Sequence, residues 1–189
     1  MTHHTRWLIT LLFAALASHA ALAQKVKLAT SMGDIVIQLD ADKAPKTVAN
    51  FVQYVKDGHY DGLIFHRVIA TFMIQGGGFD ADMREKPTRA PIPLESRNGL
   101  NNLRGTVAMA RTNVPDSATS QFFINVVDNA FLDAANARDG NGYAVFGKVV
   151  SGMEVIDKIR EVPVGNRGPH QNVPQQPVVI RKATLESSK

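Results

Sequence analysis

The chain has 189 residues, is 44% hydrophobic and 20% charged, and carries 21 Lys and Arg against 17 Asp and Glu, a formal charge of +4. That balance describes a globular protein and excludes disordered, fibrous and polytopic membrane classes, while the length predicts one domain around one core. Cysteine is absent, which excludes disulfides, thiolate nucleophiles and Cys-ligated metal, and no long basic run marks a nucleic-acid surface.

Met1–Arg6 carries one positive charge and no acid, Trp7–Ala17 is apolar apart from Thr10, and Ala21-Leu22-Ala23 places small residues at the cleavage-determining positions. This pattern predicts a secretory signal peptide over residues 1–23, because a membrane-spanning helix needs about 20 apolar residues. Cleavage is expected after Ala23, with Ser18-His19-Ala20 offering an alternative cut after Ala20. The mature domain, residues 24–189, then starts at Gln24 with 20 basic and 17 acidic side chains. A cysteine-free exported domain fits a bacterial periplasm, as a protein without stable membrane association and expected to be a monomer.

Val26–Thr30 and Ile35–Leu39 predict two strands of an opening hairpin around Gly33. Lys43–Gly58 predicts an amphipathic helix, with Pro45 near its start, Val48, Phe51, Val52 and Val55 on one face, and Gly58 as its stop. Short strand-like runs follow at Leu63–Ile69, Phe72–Gln75, Gly105–Ala110, Gln121–Val127 and Ala144–Val149. Val155, Ile156 and Ile159 predict a second helix, and Val178–Ile180 a closing strand, with Pro163–Pro177 read as a surface excursion. Many strands and two distant helices predict a mainly β, antiparallel sheet closed into a barrel, since closure removes exposed edges. The loops Asp80–Asn102, Arg111–Thr119 and Asp133–Gly142 are long enough to carry binding residues.

Several chemistries lack their local signals. After residues 1–23 only His59, His66 and His170 remain, without metal-ligand spacing, so no metal and no other cofactor is expected. Gly76-Gly77-Gly78 lacks the Lys-Ser/Thr of a phosphate loop and reads as a turn, and no Gly-X-Ser-X-Gly occurs. Asp116 and Ser117 read as turn residues. The informative stretch is Phe65–Gly77. On a regular strand Phe65, Arg67 and Ile69 share one face and His66 and Val68 the other, which embeds an arginine among apolar neighbours. Met73 shares a face with Gln75, as do Gln121, Phe123 and Asn125, opposite a core face of Phe122, Ile124 and Val126. Singly, these polar residues read as snorkelling or backbone-satisfying groups; together they describe an apolar groove with a few fixed donors.

Phe65-His66-Arg67-Val68-Ile69, Phe72-Met73-Ile74-Gln75-Gly76-Gly77, Met109-Ala110, Ser120-Gln121-Phe122-Phe123-Ile124 and Val145-Phe146-Gly147-Lys148-Val149 resemble the signature segments of cyclophilins. These are peptidyl-prolyl cis-trans isomerases, and the resemblance runs from about Val26 to Ile180, closest to bacterial periplasmic members. It implies a closed eight-stranded antiparallel barrel with a helix at each end. It also implies that Arg67 is catalytic, that Gln75 holds Arg67 and the substrate backbone, and that Phe72, Met73, Phe123 and Leu132 form a proline pocket. His66, Ala110, Thr112 and Gln121 would line the groove, with Tyr143 at its rim. The implied partners are proline-containing unfolded or partly folded exported polypeptides, whose folding it would assist, with no nucleic acid. Three departures stand out: Ala70-Thr71 replaces a Pro-Gly pair, Phe131 stands where many eukaryotic members have tryptophan, and Tyr143 where they often have histidine. Weak cyclosporin binding is the expected consequence. Two rival readings remain at the level of sequence. A holdase gripping proline-containing peptides would need the groove but not Arg67, and a lumenal ligand carrier is discouraged by bulky inward residues such as Phe122 and Ile124.

Overall fold

The computed structural model of the chain describes residues 24–186; the expected signal peptide lies outside the described residues. β1 (Lys25–Thr30) and β2 (Gly33–Leu39) form the opening hairpin, in register from Lys25 opposite Gln38 to Thr30 opposite Gly33. Gly33 takes φ +133°, and the Thr30 hydroxyl donates to its carbonyl at 2.6 Å, closing the turn. Val26, Leu28, Ile35 and Ile37 alternate with outward residues and are fully buried.

Helix α1 (Pro45–Lys56) buries Val48, Phe51, Val52 and Val55, as their spacing requires, together with Tyr54. Its first turn holds no acid and its cap residue, Ala44, has no side-chain acceptor. Glu95 supplies both from the long loop after Asp80: its carboxylate accepts from the Lys46 and Thr47 amides at 3.1 and 2.8 Å and from the Thr47 hydroxyl at 2.6 Å. The helix end thereby anchors the loop.

The remaining elements are β3 (Phe65–Ile69), β4 (Met73–Gly76), β5 (Thr106–Met109), β6 (Phe122–Asn125), a single 3-10 turn at Ala130–Leu132, β7 (Val145–Ser151), α2 (Met153–Arg160), β8 (Val164–Arg167), β9 (His170–Pro174) and β10 (Ile180–Glu186). Eight strands pair antiparallel in the order β10-β1-β2-β7-β5-β6-β4-β3. This corrects the expected closed barrel: the sheet curls strongly but stays open, with β10 and β3 as its edges. One isolated bridge, Ile64 to Val179, spans the seam, with amide bonds from Phe65 to Val178 and from Ile180 to Leu63. The Gly62 amide donates to the Ile180 carbonyl at 2.8 Å beside it, and β3 and β10 form no regular ladder among the described residues.

Two other expectations change. Val178–Ile180 only approaches the closing strand, which is Ile180–Glu186. The Pro163–Pro177 stretch is not an irregular excursion but contains the β8–β9 hairpin, a separate two-stranded sheet whose second strand packs against β3. Its Val-Gly-Asn-Arg and His-Gln-Asn-Val-Pro sequences lack apolar alternation because much of the hairpin is exposed.

The main core packs Phe51, Tyr60, Phe65, Phe122 and Phe146 between the sheet and α1, with Ile156 and Ile159 of α2 joining it. A smaller apolar cluster of Met73, Ala108, Phe123, Leu132 and Val145 forms separately. β6 feeds both: Phe122 and Ile124 enter the main core, while Phe123 enters the small cluster.

Candidate functional site

The small cluster is the floor of a groove. Met73, Phe123 and Leu132 are almost wholly buried, and Phe72, Ala110 and Tyr143 pack on them from the rim. A run of buried asparagines holds the segment that delivers Leu132. Asn129 donates to the Phe72 carbonyl at 2.9 Å and to Asn125 at 2.8 Å, Asn125 donates to Asn102 and Thr106, and Asn102 donates to Asp133. A satisfied internal network of this kind rigidifies the wall it supports.

Arg67 stands at the edge of this floor. β3 pairs it with Gln75 of β4, and its Nη1 donates to Gln75 Oε1 at 3.4 Å. Gln75 Nε2 donates in turn to Gln121 Oε1 at 2.9 Å, which fixes the amide so that its oxygen faces the guanidinium. Gly78 makes room for this: a Cβ there would lie 2.7 Å from the Gln121 side chain. Of the glycine triplet expected as a turn, Gly76 instead ends β4, while Gly77 and Gly78 form the bend after it, and Gly78 leaves the space that Gln121 occupies.

The strict alternation expected for β3 fails. The register shifts between Phe65 and Arg67, and this bulge sends Phe65 into the main core with Val68, away from Arg67. His66 is buried against Phe79, ring centroids 4.8 Å apart, and its Nδ1 has no hydrogen-bond partner among the described residues. Burial, then the charges of His170 and Arg67, lowers its pKa to about 4.

Ten of the eleven residues singled out from sequence line one cavity of about 780 Å³: His66, Arg67, Phe72, Met73, Gln75, Ala110, Gln121, Phe123, Leu132 and Tyr143. Thr112 does not. It is exposed, and its hydroxyl and amide bond the Ser117 hydroxyl within their own loop, where Ser117 is the turn residue expected. A larger depression of about 990 Å³ around Leu39, Asp40, Leu100 and Leu185 contains none of the eleven; the polar chain, not size, marks the site.

Sequence reasoning missed three contributions, Phe79, the tip of the β8–β9 hairpin at Pro169–Asn172, and Arg111, while Phe131, noted from sequence as standing at a tryptophan position, lines the cavity and is exposed. The Arg111 side chain is 2% exposed and bonds Asp139 at 2.5 Å and the Gly142 carbonyl at 2.9 Å. Its guanidinium lies 4.7 Å from the Tyr143 ring centroid, and it holds the Asp139 carboxyl well below the usual carboxylate range. Arg111 thus ties two loops together and seats Tyr143 on Phe123, centroids 5.6 Å apart. The only signal in the sequence was an arginine beside Ala110 with an aspartate 28 positions later.

A prediction follows from His66. Its folded-state pKa is depressed, so below the ordinary histidine value near 6.5 the unfolded chain takes up a proton that the folded protein refuses. Stability should therefore fall as pH drops from about 6.5 to about 4, by up to about 3 kcal/mol from this group. Burial lowers the pKa of His59 in the same direction. Urea midpoints at pH 7 and pH 4 for the parent and His66→Gln measure the effect: the variant should gain on the parent at the lower pH. A gap between the two proteins that does not change with pH would refute it.

A family model described as cyclophilin type peptidyl-prolyl cis-trans isomerase/CLD matches residues 25–185. The chain is 58% identical over 166 residues to peptidyl-prolyl cis-trans isomerase A of Dickeya dadantii, covering 88% of this chain and 86% of that protein. It is 55% identical over 157 residues to peptidyl-prolyl cis-trans isomerase B of Escherichia coli, covering 82% and 96%. Among solved structures, a cyclophilin type isomerase of Cryptosporidium parvum matches with a TM-score of 0.72 at 26% identity, covering 88% of this chain and 99% of that one. The same protein solved in the presence of the dipeptide Ala-Pro matches with a TM-score of 0.71.

Proposed function

The chain belongs to the cyclophilin type peptidyl-prolyl cis-trans isomerases, and from this premise we propose how its groove turns an X-Pro bond and where it does so. The amide C–N bond has partial double-bond character, and rotation about it meets a barrier of about 18–20 kcal/mol. No covalent bond breaks, so the task is to stabilise the twisted amide. In that state conjugation is lost and the proline nitrogen becomes a hydrogen-bond acceptor, which it is not in the planar ground state.

The proline ring enters the floor made by Phe72, Met73, Phe123 and Leu132. Arg67 donates to the nitrogen only as the amide twists, a contact selective for the transition state. Gln75, aligned by Gln121, holds the guanidinium from behind and has carbonyl and amide groups for the substrate backbone. The observation that carries this reading is that, among the described residues, Arg67 has an amide and no carboxylate as its partner, leaving donors free beside an apolar pocket. Acceleration by about 10⁵-fold would need about 7 kcal/mol, a share of which comes from holding the ring in place. Protease-free exchange measurements on an X-Pro peptide test the scheme, and the Arg67 variant argued below decides between it and a holdase.

The protein acts on exported polypeptides in the periplasm, as a soluble monomer without cofactor, nucleic acid or stable membrane association, and assists folding where X-Pro exchange is slow. Support comes from the signal-like pattern of residues 1–23. The intact mass of protein recovered from the periplasm should correspond to a chain starting at Gln24. A periplasmic species retaining residues 1–23 would refute the assignment.

Cyclosporin should bind weakly. Phe131 is 58% exposed and tilted on Phe72 with centroids 5.5 Å apart, but it lacks the indole donor that many eukaryotic relatives place there. Phe131→Trp should tighten binding, as read by fluorescence titration; unchanged affinity would show that this position does not govern the drug.

A further inference from the structure

The groove holds two arginines whose donors are committed differently. Among the described residues Arg67 meets only the Gln75 amide. Arg111 has an acceptor at each guanidinium nitrogen: Nε donates to the Gly142 carbonyl at 2.9 Å, Nη1 to the Thr112 carbonyl at 2.9 Å and Nη2 to Asp139 at 2.5 Å. Buried and bonded at all three nitrogens, Arg111 is spent on the protein rather than on a ligand.

What it holds is Tyr143, whose ring centroid lies 4.7 Å from the guanidinium. The second oxygen of Asp139 accepts from the Asn141 and Gly142 amides at 2.9 and 3.2 Å, so the carboxylate that pairs with Arg111 also shapes the turn that delivers the tyrosine. Gly142, at φ +64°, brings this turn against the pocket: a Cβ there would lie 2.6 Å from the Leu132 carbonyl oxygen. The Tyr143 amide donates to that same carbonyl at 3.0 Å, and its ring meets Phe123 edge-on at 5.6 Å. Tyr143 is thereby fixed against two members of the proline pocket and lines the groove with them.

We propose that Arg111 is a positioning residue for the isomerase reaction: without meeting the substrate, it holds Tyr143 as the outer wall of the proline pocket. The proposal rests on the isomerase reading and gives the second arginine a role opposite to that of Arg67. An aromatic wall touches the proline ring alike in the planar and the twisted amide, so loosening it weakens the binding of both states and raises KM with kcat little changed. Loss of Arg67 lowers kcat instead.

The test is a double-mutant cycle on the mature chain, residues 24–189, with kcat and KM taken from exchange NMR on a blocked Ala-Pro tetrapeptide and thermal midpoints on the same preparations. Arg111→Met should raise KM about five-fold, the share of a cation–ring contact and its anchoring, with kcat within about two-fold of the parent. Tyr143→Ala should raise KM at least as much. In the Tyr143→Ala background Arg111→Met should then raise KM hardly further, because the group it positions is gone. Arg111→Lys, which keeps the charge but not the fork, should fall between parent and Arg111→Met, and it takes the place of Arg111→Met in the cycle if that variant does not fold. An equal cost of the Arg111 change with and without Tyr143 would make Arg111 a structural residue and overturn the proposal, as would a fall in kcat at unchanged KM. A parent protein that accelerates no exchange would instead overturn the isomerase reading.

Discussion

Arg67→Ala is expected to slow X-Pro exchange by about 10²-fold or more while leaving the protein folded. A donor that acts only in the transition state typically contributes that much, and Arg67 is placed for that role rather than for stability. Its one side-chain partner among the described residues is Gln75 at 3.4 Å, and none of their carboxylates is left uncompensated by its removal. The thermal midpoint should therefore move by no more than a few degrees. Peptide affinity should fall far less than the rate, because Phe72, Met73, Phe123 and Leu132 remain. Arg67→Lys should recover only part of the loss, since an ammonium keeps the charge but not the planar fork. Exchange rate, affinity and midpoint are to be measured on one preparation. A folded Arg67→Ala protein that isomerises at near the parent rate would overturn the mechanism and favour the holdase, whereas rate and stability falling together would make Arg67 a structural residue.

The first hairpin and α1 were legible because their determinants are local: alternation through Val26, Leu28, Ile35 and Ile37, and helical spacing from Val48 to Val55. Chemistry written across distant segments was not. The cap of α1 comes from Glu95, 48 positions beyond Thr47, and the Arg111–Asp139 tie spans 28 positions; neither has a periodicity to betray it. The β3 bulge defeats alternation because one extra residue at the strand start flips every side chain before it, which is why Phe65 is not Arg67's neighbour. Residue roles within the groove were carried by resemblance rather than by pattern; ten of the residues it singled out line one cavity, and Thr112 lies outside that lining. The β8–β9 hairpin escaped both routes. Its sequence is polar, and its docking depends on Phe79 and His66, which only the folded chain brings to His170.

The second large effect concerns the strand that serves both the core and the groove. Phe122 is fully buried, with the Phe51, Tyr60 and Phe65 rings at 5.5, 5.5 and 6.2 Å in edge-on geometry. Replacing it by alanine removes a ring that the Phe51, Tyr60 and Phe65 rings surround in the main core, and aromatic-to-alanine changes in such sites cost about 3–5 kcal/mol. That is a large fraction of the total stability of about 5–15 kcal/mol usual for a domain, and it corresponds to a fall in thermal midpoint of about 10 °C. The ring points away from the groove, so the protein that remains folded should keep kcat/KM within a few-fold of the parent. Phe123→Ala should show the reverse emphasis. Its ring belongs to the small cluster under the proline pocket, so KM should rise for a smaller loss of midpoint. Urea unfolding and exchange kinetics on the two variants separate these effects. If Phe122→Ala leaves the midpoint in place while reducing activity, the division of β6 into a core face and a groove face is wrong.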